Sequence, residues 1–326
     1  MRRAALTTAL TLVATGVTLT ASPPRVARAA LAATTVCDRL AAAPHQSATL
    51  GDPVLNEVSG IGASRVQRPV LWVHDDSGGA PAIYAIRPDG SLVSTYTIEG
   101  AANTDWEDLA VGPGPQRGRS YVFVGDIGQN TGARDAVTVY RVAETAAPFA
   151  ATGTLTGAAV ISLRYPDHPV DAESMFVDPR TGDLFVIDKE YFSGVGHVFR
   201  APQRALVDGA TVTMSDTGSF TVPPDDSSSA PSAVTRFPGT IITGADISPD
   251  GSTILVRTYR RVLAFSRPAR RTVAAAFRRP PCVAPQIDEA HGEAIGFAVN
   301  GASYFTISEG VGAAIHRFTV HPPLRG

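Results

Sequence analysis

Short apolar runs with a polar or acidic start recur five times along the 326-residue chain. The same succession of a turn and further runs comes after them. The starts are Glu57-Val58-Ser59-Gly60-Ile61, Asp105-Trp106-Glu107-Asp108-Leu109-Ala110, Asp171-Ala172-Glu173-Ser174-Met175, Gly244-Ala245-Asp246-Ile247-Ser248 and Gly292-Glu293-Ala294-Ile295-Gly296. Aligned on Ser59, Glu107, Glu173, Ala245 and Glu293, they stand 48, 66, 72 and 48 residues apart. The period is irregular, so the repeat rests on the order of runs after each start. Hairpin chemistry comes next in three units: Asp178-Pro179-Arg180-Thr181-Gly182, Pro249-Asp250-Gly251 and Asn300-Gly301. A second run rich in branched and aromatic residues is present in all five, as in Tyr121-Val122-Phe123-Val124 and Leu184-Phe185-Val186-Ile187. A third comes after that, as in Val139-Tyr140-Arg141-Val142 and Val262-Leu263-Ala264-Phe265. More polar fourth strands are expected at Val93 to Ile98, Ala158 to Tyr165, Thr211 to Val222 and Thr272 to Phe277.

Repeated units of four antiparallel strands predict an all-β chain folded as a single β-propeller of five blades. The fifth unit ends at Pro322 without a fourth strand, so an N-terminal strand is expected to close the ring. Ser47-Ala48-Thr49-Leu50 is the candidate, and closure would hide the edges that an open repeat exposes. Six blades remain an alternative, because residues 223–243, read as a polar surface loop around Asp225-Asp226-Ser227-Ser228-Ser229, have room for degenerate strands. A β-sandwich of similar hairpins is the other. Thirty Gly and 25 Pro suit a turn-rich fold, and a 44% hydrophobic chain with 18% charged residues can build a large core.

The first 29 residues have the pattern of a secretory signal: Arg2 and Arg3, an uncharged apolar stretch from Ala4 to Ala21, and the small-x-small site Ala27-Arg28-Ala29. A membrane anchor is the alternative, disfavoured by the Thr and Gly content and by Pro23-Pro24. Cleavage leaves residues 30–326 as one exported propeller domain with no membrane span. It also removes four arginines and no acid, so 24 basic residues face 30 acidic ones. Such a balance argues against a nucleic-acid partner. Export permits a disulfide between Cys37 and Cys282, which would fasten the joint into the fifth unit; two buried thiols are the alternative.

The chemistry is expected at one mouth of the central channel, where loops and strand ends of different blades converge. Acids recur there: Glu57, Asp105, Glu107, Asp171, Glu173, Asp246 and Glu293 at first strands, with Asp75, Asp76, Asp126, Asp188 and Glu309 at the ends of second strands. Converging carboxylates repel and either hold protons or recruit a cation, and oxygen-only ligands suit Ca²⁺ over zinc. Glu107, Asp126, Glu173, Asp188, Asp246, Glu293 and Glu309 are therefore the candidate metal ligands. The alternative for each is an architectural acid accepting backbone N–H bonds. Lys189 is the only lysine in the chain and stands between Asp188 and Glu190, so it is a candidate for meeting a phosphate or the carboxylate ring from within. His74 and Asp75 are weaker candidates as catalytic groups, and His291 resembles His74. Trp72 and Trp106 are expected to pack between blades, with a sugar-stacking platform as the alternative. No GxSxG, HExxH, P-loop or Rossmann glycine pattern is present.

The stretch Asp171-Ala172-Glu173-Ser174-Met175-Phe176-Val177-Asp178-Pro179-Arg180-Thr181-Gly182-Asp183-Leu184-Phe185-Val186 resembles the blade signature of bacterial secreted β-propellers of the phytase-like group. Gly292 to Gly296 followed by Tyr304 to Glu309 resembles a second copy. The resemblance implies acidic loops holding calcium and phosphomonoesters cleaved by metal-activated water, with Glu173, Asp188, Glu293 and Glu309 as metal ligands. His74-Asp75-Asp76-Ser77 resembles the family's Asp-Asp-Pro-Ala stretch only loosely, the implied six blades exceed the five counted, and a basic phosphate-binding cluster is missing. The expected protein is thus an exported, monomeric, calcium-binding propeller. It would take a small-molecule or polymer ligand at its mouth, either as a metal-dependent phosphoester hydrolase or as a non-catalytic module for envelope carbohydrate or a protein partner.

Overall fold

A computed structural model describes residues 36–40, 45–144, 151–189, 191, 193–224, 239–289 and 291–324. The expected signal, the tract Asp225 to Ser229 and Glu190 lie outside them. The N-terminal strand β1 (His45–Thr49) is followed by β2 (Val58–Ala63), β3 (Leu71–Asp75), β4 (Ala82–Ile86) and β5 (Leu92–Ile98), which form blade one. Blade two contains β6 (Trp106–Pro113), β7 (Ser120–Asp126) and β8 (Val137–Ala143). After β9 (Thr152–Leu155) it is completed by β10 (Ala159–Arg164). Blade three contains β11 (Ala172–Val177), β12 (Leu184–Asp188) and β13 (Val195–Ala201). After β14 (Thr211–Thr213) it is completed by β15 (Ser215–Thr221). Blade four comprises β16 (Ile242–Ile247), β17 (Thr253–Thr258), β18 (Val262–Ser266) and, beyond helix α1 (Val273–Phe277), β19 (Cys282–Ala284). Blade five comprises β20 (Gly292–Phe297), β21 (Ser303–Ser308) and β22 (Ala314–Thr319), with β1 paired antiparallel to β22 as its fourth strand.

The inner strands β2, β6, β11, β16 and β20 contact one another in that order, and β20 returns to β2. The fold is a five-bladed propeller closed by its N-terminal strand, as the repeat predicts. Each blade packs on a neighbour through both faces, and one apolar layer fills each of the five joints. Inner and second strands such as β11 and β12 are therefore buried along their whole length, whereas the outer β10 alternates buried with exposed or half-buried positions and β15 buries Phe220 alone. That gradient explains why the first runs read as continuous apolar stretches and the fourth as polar ones. Trp72 and Trp106 belong to the joint between blades one and two, where the Trp72 indole N–H donates to Glu144 at 2.9 Å. A five-bladed ring is narrow at its axis. A side chain at Gly296 would stand 2.7 Å from the Ile61 carbonyl of the next inner strand, so only glycine fits there.

Three expectations change in detail, and one strand is added. Thr272 to Phe277 is a short helix, not a strand. Thr272 accepts the Ala275 N–H as a cap, three alanines lie in the turn after it, and the outer strand of blade four waits until Cys282, beyond Pro280-Pro281. Thr211 to Val222 divides: β14 runs parallel to β10 of blade two, and only β15 completes blade three. In the same way β9 crosses back to lie parallel to β5 of blade one. Finally, the segment read as a loop through residue 243 ends earlier, since Ile242 and Thr243 are buried in β16.

Cys37 and Cys282 form a disulfide with Cα atoms 6.1 Å apart. It ties the turn Val36–Arg39 to the outer strand of blade four, beside the apolar layer shared with blade five. None of the described helices is long and apolar enough to cross a membrane.

Candidate functional site

The pairing of the first and second strands shifts by one residue in every blade, at Ser59, Glu107, Glu173, Thr243 and Glu293. A bulge of this kind re-aims one side chain out of the ladder. The five bulges therefore define one ring of equivalent positions at one end of the inner strands. Blades one and four fill it with hydroxyls: Ser59 Oγ donates to the Glu107 carbonyl at 2.5 Å and Thr243 Oγ1 to the Gly292 carbonyl at 2.8 Å. Blades two, three and five fill it with glutamates, each only 3% exposed. The fourth member is Thr243 rather than Ala245, which corrects the sequence alignment by two residues.

Around this ring the second strands end in Asp75, Asp126, Asp188, Thr258 and Ser308, opposite the residue before each bulge. One position further lie Asp76, Lys189, Tyr259 and Glu309, whose N–H groups donate to the carbonyls of Glu57, Asp171, Ile241 and His291. Two clusters of donor atoms form in the mouth. Asp76, Asp105 and Glu107 bring three carboxylate oxygens within 4.8 Å of one another, and His291, Glu293 and Glu309 bring an imidazole and two carboxylates equally close.

The three ring glutamates differ in what meets them. Glu173 Oε1 is ion-paired with the Lys189 ammonium, which also lies 5.6 Å and 5.7 Å from the ring centres of Tyr191 and Tyr259. Glu293 Oε1 faces His291 Nε2 at 3.2 Å, and His291 Nδ1 is ion-paired with Glu309. The buried Glu107 Oε1 has no hydrogen-bond partner among the described residues, and one oxygen each of Glu173 and Glu293 also lacks one. Burial first, then the carboxylates of Asp76 and Asp105, pushes Glu107 well above the usual range. Burial and Glu309 do the same to Glu293. Burial raises Asp76 to about 6, with Asp105 and Glu309 adding to it, and raises Asp75 to about 7. Gly128 closes over the first cluster, and a methyl group there would collide with Glu107 Oε1 and Asp105 Oδ2.

The other candidates have local duties. Asp126 accepts from the Arg134 guanidinium at 2.6 Å and from the Asp105 N–H at 3.2 Å. Asp188 accepts the His197 N–H at 2.7 Å and faces its Nδ1 at 2.8 Å. Asp246 is not in the mouth. It lies three residues along β16 from the bulge, accepts the N–H groups of Ile247 and Phe297 at 2.7 Å and 2.6 Å, and lines a cavity of about 170 Å³ with Arg65 and Arg68. Its acidity suggested a place in the ring, but the register gives that place to Thr243. His74 is fully buried, edge-on to Trp106 at 5.7 Å, with Nδ1 2.9 Å from the Asp75 carbonyl; burial lowers it to about 4, so it sits neutral in the blade joint. Asp108, not singled out as a ligand, is the clearest architectural acid. It accepts N–H groups from Leu109, Met175 and Ala245, tying three inner strands together. The signal for it was the third acid of Asp105-Trp106-Glu107-Asp108.

Beside Lys189 a cavity of about 440 Å³ opens between residues 166–171, Tyr191, His197, Phe199 and Asp216. No protein-family model matches the chain, and no curated protein does either. Among solved structures it is similar to glutaminyl cyclase from Myxococcus xanthus, with a TM-score of 0.46 and 11% identity over 85% of this chain and 97% of that one. It is similar to the PQQ-bound aldose sugar dehydrogenase of Streptomyces coelicolor, with a TM-score of 0.48 and 10% identity over the same shares. A chain of a nidogen/laminin complex gives 0.42 and 13% over 83% of each. All three scores fall below 0.5.

Proposed function

We propose that the propeller mouth binds Ca²⁺ through Asp76, Asp105 and Glu107, and that the site so formed hydrolyses a phosphoester outside the cytoplasm. The observation that carries the reading is the Glu107 carboxylate. A buried carboxylate oxygen without a donor costs several kcal/mol unless it holds a proton or meets a cation. Two further carboxylates stand within 4.8 Å of it, and the donor set is oxygen alone, which suits calcium. When bound, the ion supplies a Lewis acid for the phosphoryl oxygen and lowers the pKa of water.

The chain's own groups have distinct parts in this reading. Lys189 is held by Glu173, so its ammonium balances the carboxylate ring, and a role as a free phosphate ligand recedes. Asp75, raised to about 7, takes or gives a proton near neutral pH. The cavity beside Lys189 has room for the organic part of an ester. Export is supported by the signal-like N-terminus and by the disulfide, since such bonds persist in oxidising compartments.

The test is the melting of metal-stripped protein with and without added calcium, alongside turnover of p-nitrophenyl phosphate. We expect melting to rise with calcium, and turnover to need calcium and to vanish in Glu107→Gln. Melting that ignores calcium removes the metal reading. Calcium-linked stability without turnover makes the mouth a binding site and removes the hydrolase.

A further inference from the structure

Three ring glutamates at equivalent bulges present three places for a cation, and the chain itself fills one of them with the Lys189 ammonium at Glu173. The second, at Glu107, is the calcium site proposed above. The third, at Glu293, has a different chemistry. Its buried Oε2 lacks a hydrogen-bond donor among the described residues, and its partners are an imidazole and a second carboxylate.

His291 is set firmly against β21. Its N–H donates to Ser308 Oγ at 3.0 Å, and its carbonyl accepts from Ser308 Oγ at 2.7 Å and from the Glu309 N–H at 2.9 Å. The Tyr259 ring stacks on the imidazole with centres 4.8 Å apart and planes 26° apart. One nitrogen of His291 and one oxygen each of Glu293 and Glu309 lie within 4.8 Å of one another. Donors on a tetrahedral ion at about 2.0–2.2 Å stand about 3.3–3.6 Å apart, so side-chain movements of about 1 Å bring the three to a common centre. All three belong to blade five, so this set assembles without help from a second blade.

We propose that His291, Glu293 and Glu309 form a second metal site, specific for a first-row transition ion such as Zn²⁺ rather than for calcium. Imidazole nitrogen suits zinc and its neighbours, whereas calcium takes oxygen. The mouth is then a two-ion site of unlike chemistry: a hard oxygen cluster on blades one and two, a nitrogen–oxygen cluster on blade five, and the tethered ammonium of Lys189 on blade three. The inference does not need calcium to bind, because the two clusters share no ligand.

Cobalt provides a test independent of activity. Co²⁺ added to metal-stripped protein is expected to give visible d–d absorption that saturates at one equivalent. Zn²⁺ should abolish it, and a large excess of Ca²⁺ should leave it unchanged. His291→Gln is expected to weaken Zn²⁺ at least about 100-fold, beyond the loss usual for outer-sphere partners, while the calcium-dependent melting shift persists. Glu107→Gln should do the reverse. Displacement of Co²⁺ by Ca²⁺, no visible absorption in the wild-type protein, or equal Zn²⁺ affinity in a folded His291→Gln variant overturns the proposal. Loss of the calcium shift alone touches only the first site.

Discussion

Replacing Lys189 by methionine is the sharpest way to perturb the mouth without altering its shape. The side chains of Lys189 and Glu173 are 9% and 4% exposed, so the pair is buried and its partners are not readily replaced by water. Methionine keeps the apolar stem between Tyr191 and Tyr259 but removes the charge. Glu173 is left buried with both oxygens uncompensated. Breaking a buried pair from one side costs about 3–5 kcal/mol. At roughly 2 °C per kcal/mol for a domain of this size, melting should fall by about 6–10 °C. The double variant Lys189→Met/Glu173→Gln removes the stranded charge as well and should recover all but about 1–2 kcal/mol of the loss. Urea unfolding in the presence of a chelator, run on all four proteins of the cycle, measures this directly. A single variant that loses less than about 1 kcal/mol, or a double variant no better than the single, refutes the claim that Lys189 neutralises the ring from within.

Other outcomes rest on the same geometry. In metal-free protein, Asp75 and Asp76 keep their protons to about pH 7 and 6, while in the unfolded chain both are ionised above about pH 4. The native state thus binds more protons across that window, so stability should fall as pH rises from about 4 to 7, and calcium should flatten or invert the slope; chelator-treated melting across the range checks the sign. Gly128→Ala should weaken calcium binding, read by titration calorimetry, because its methyl group enters the space of Glu107 and Asp105. Replacing Cys37 and Cys282 by serine opens a loop of 245 residues and should cost up to about 5 kcal/mol in urea unfolding.

The propeller was legible because its runs are tied to burial. Val186 and Phe123 sit in strands covered on both faces, and such strands can only be apolar. Ring closure was legible too, since a fifth unit ending at Pro322 lacks a strand that β1 supplies. The fourth blade hid its place in the ring because a bulge is a property of strand register, not of residue type. Thr243 stands where the other blades put Ser59 or a glutamate, and the nearby Asp246 drew the alignment away. Strands β9 and β14 are only four and three residues long, with no apolar run to announce them, and their parallel pairing depends on a neighbouring blade. The rarity of Lys189 marked it as special. Its partner Glu173 lies on another strand of the same blade, and only pairing of β11 with β12 brings the two together. His74 likewise gave no sign of its complete burial.

Calcium at the Glu107 cluster is read by equilibrium dialysis of calcium against metal-stripped protein and its Glu107→Gln variant, with zinc saturating the blade-five cluster. One equivalent of calcium bound by the wild-type protein, and none by a folded variant, is the result expected. Equal calcium binding by the two proteins, or none by either, means that the Glu107 cluster is not a calcium site.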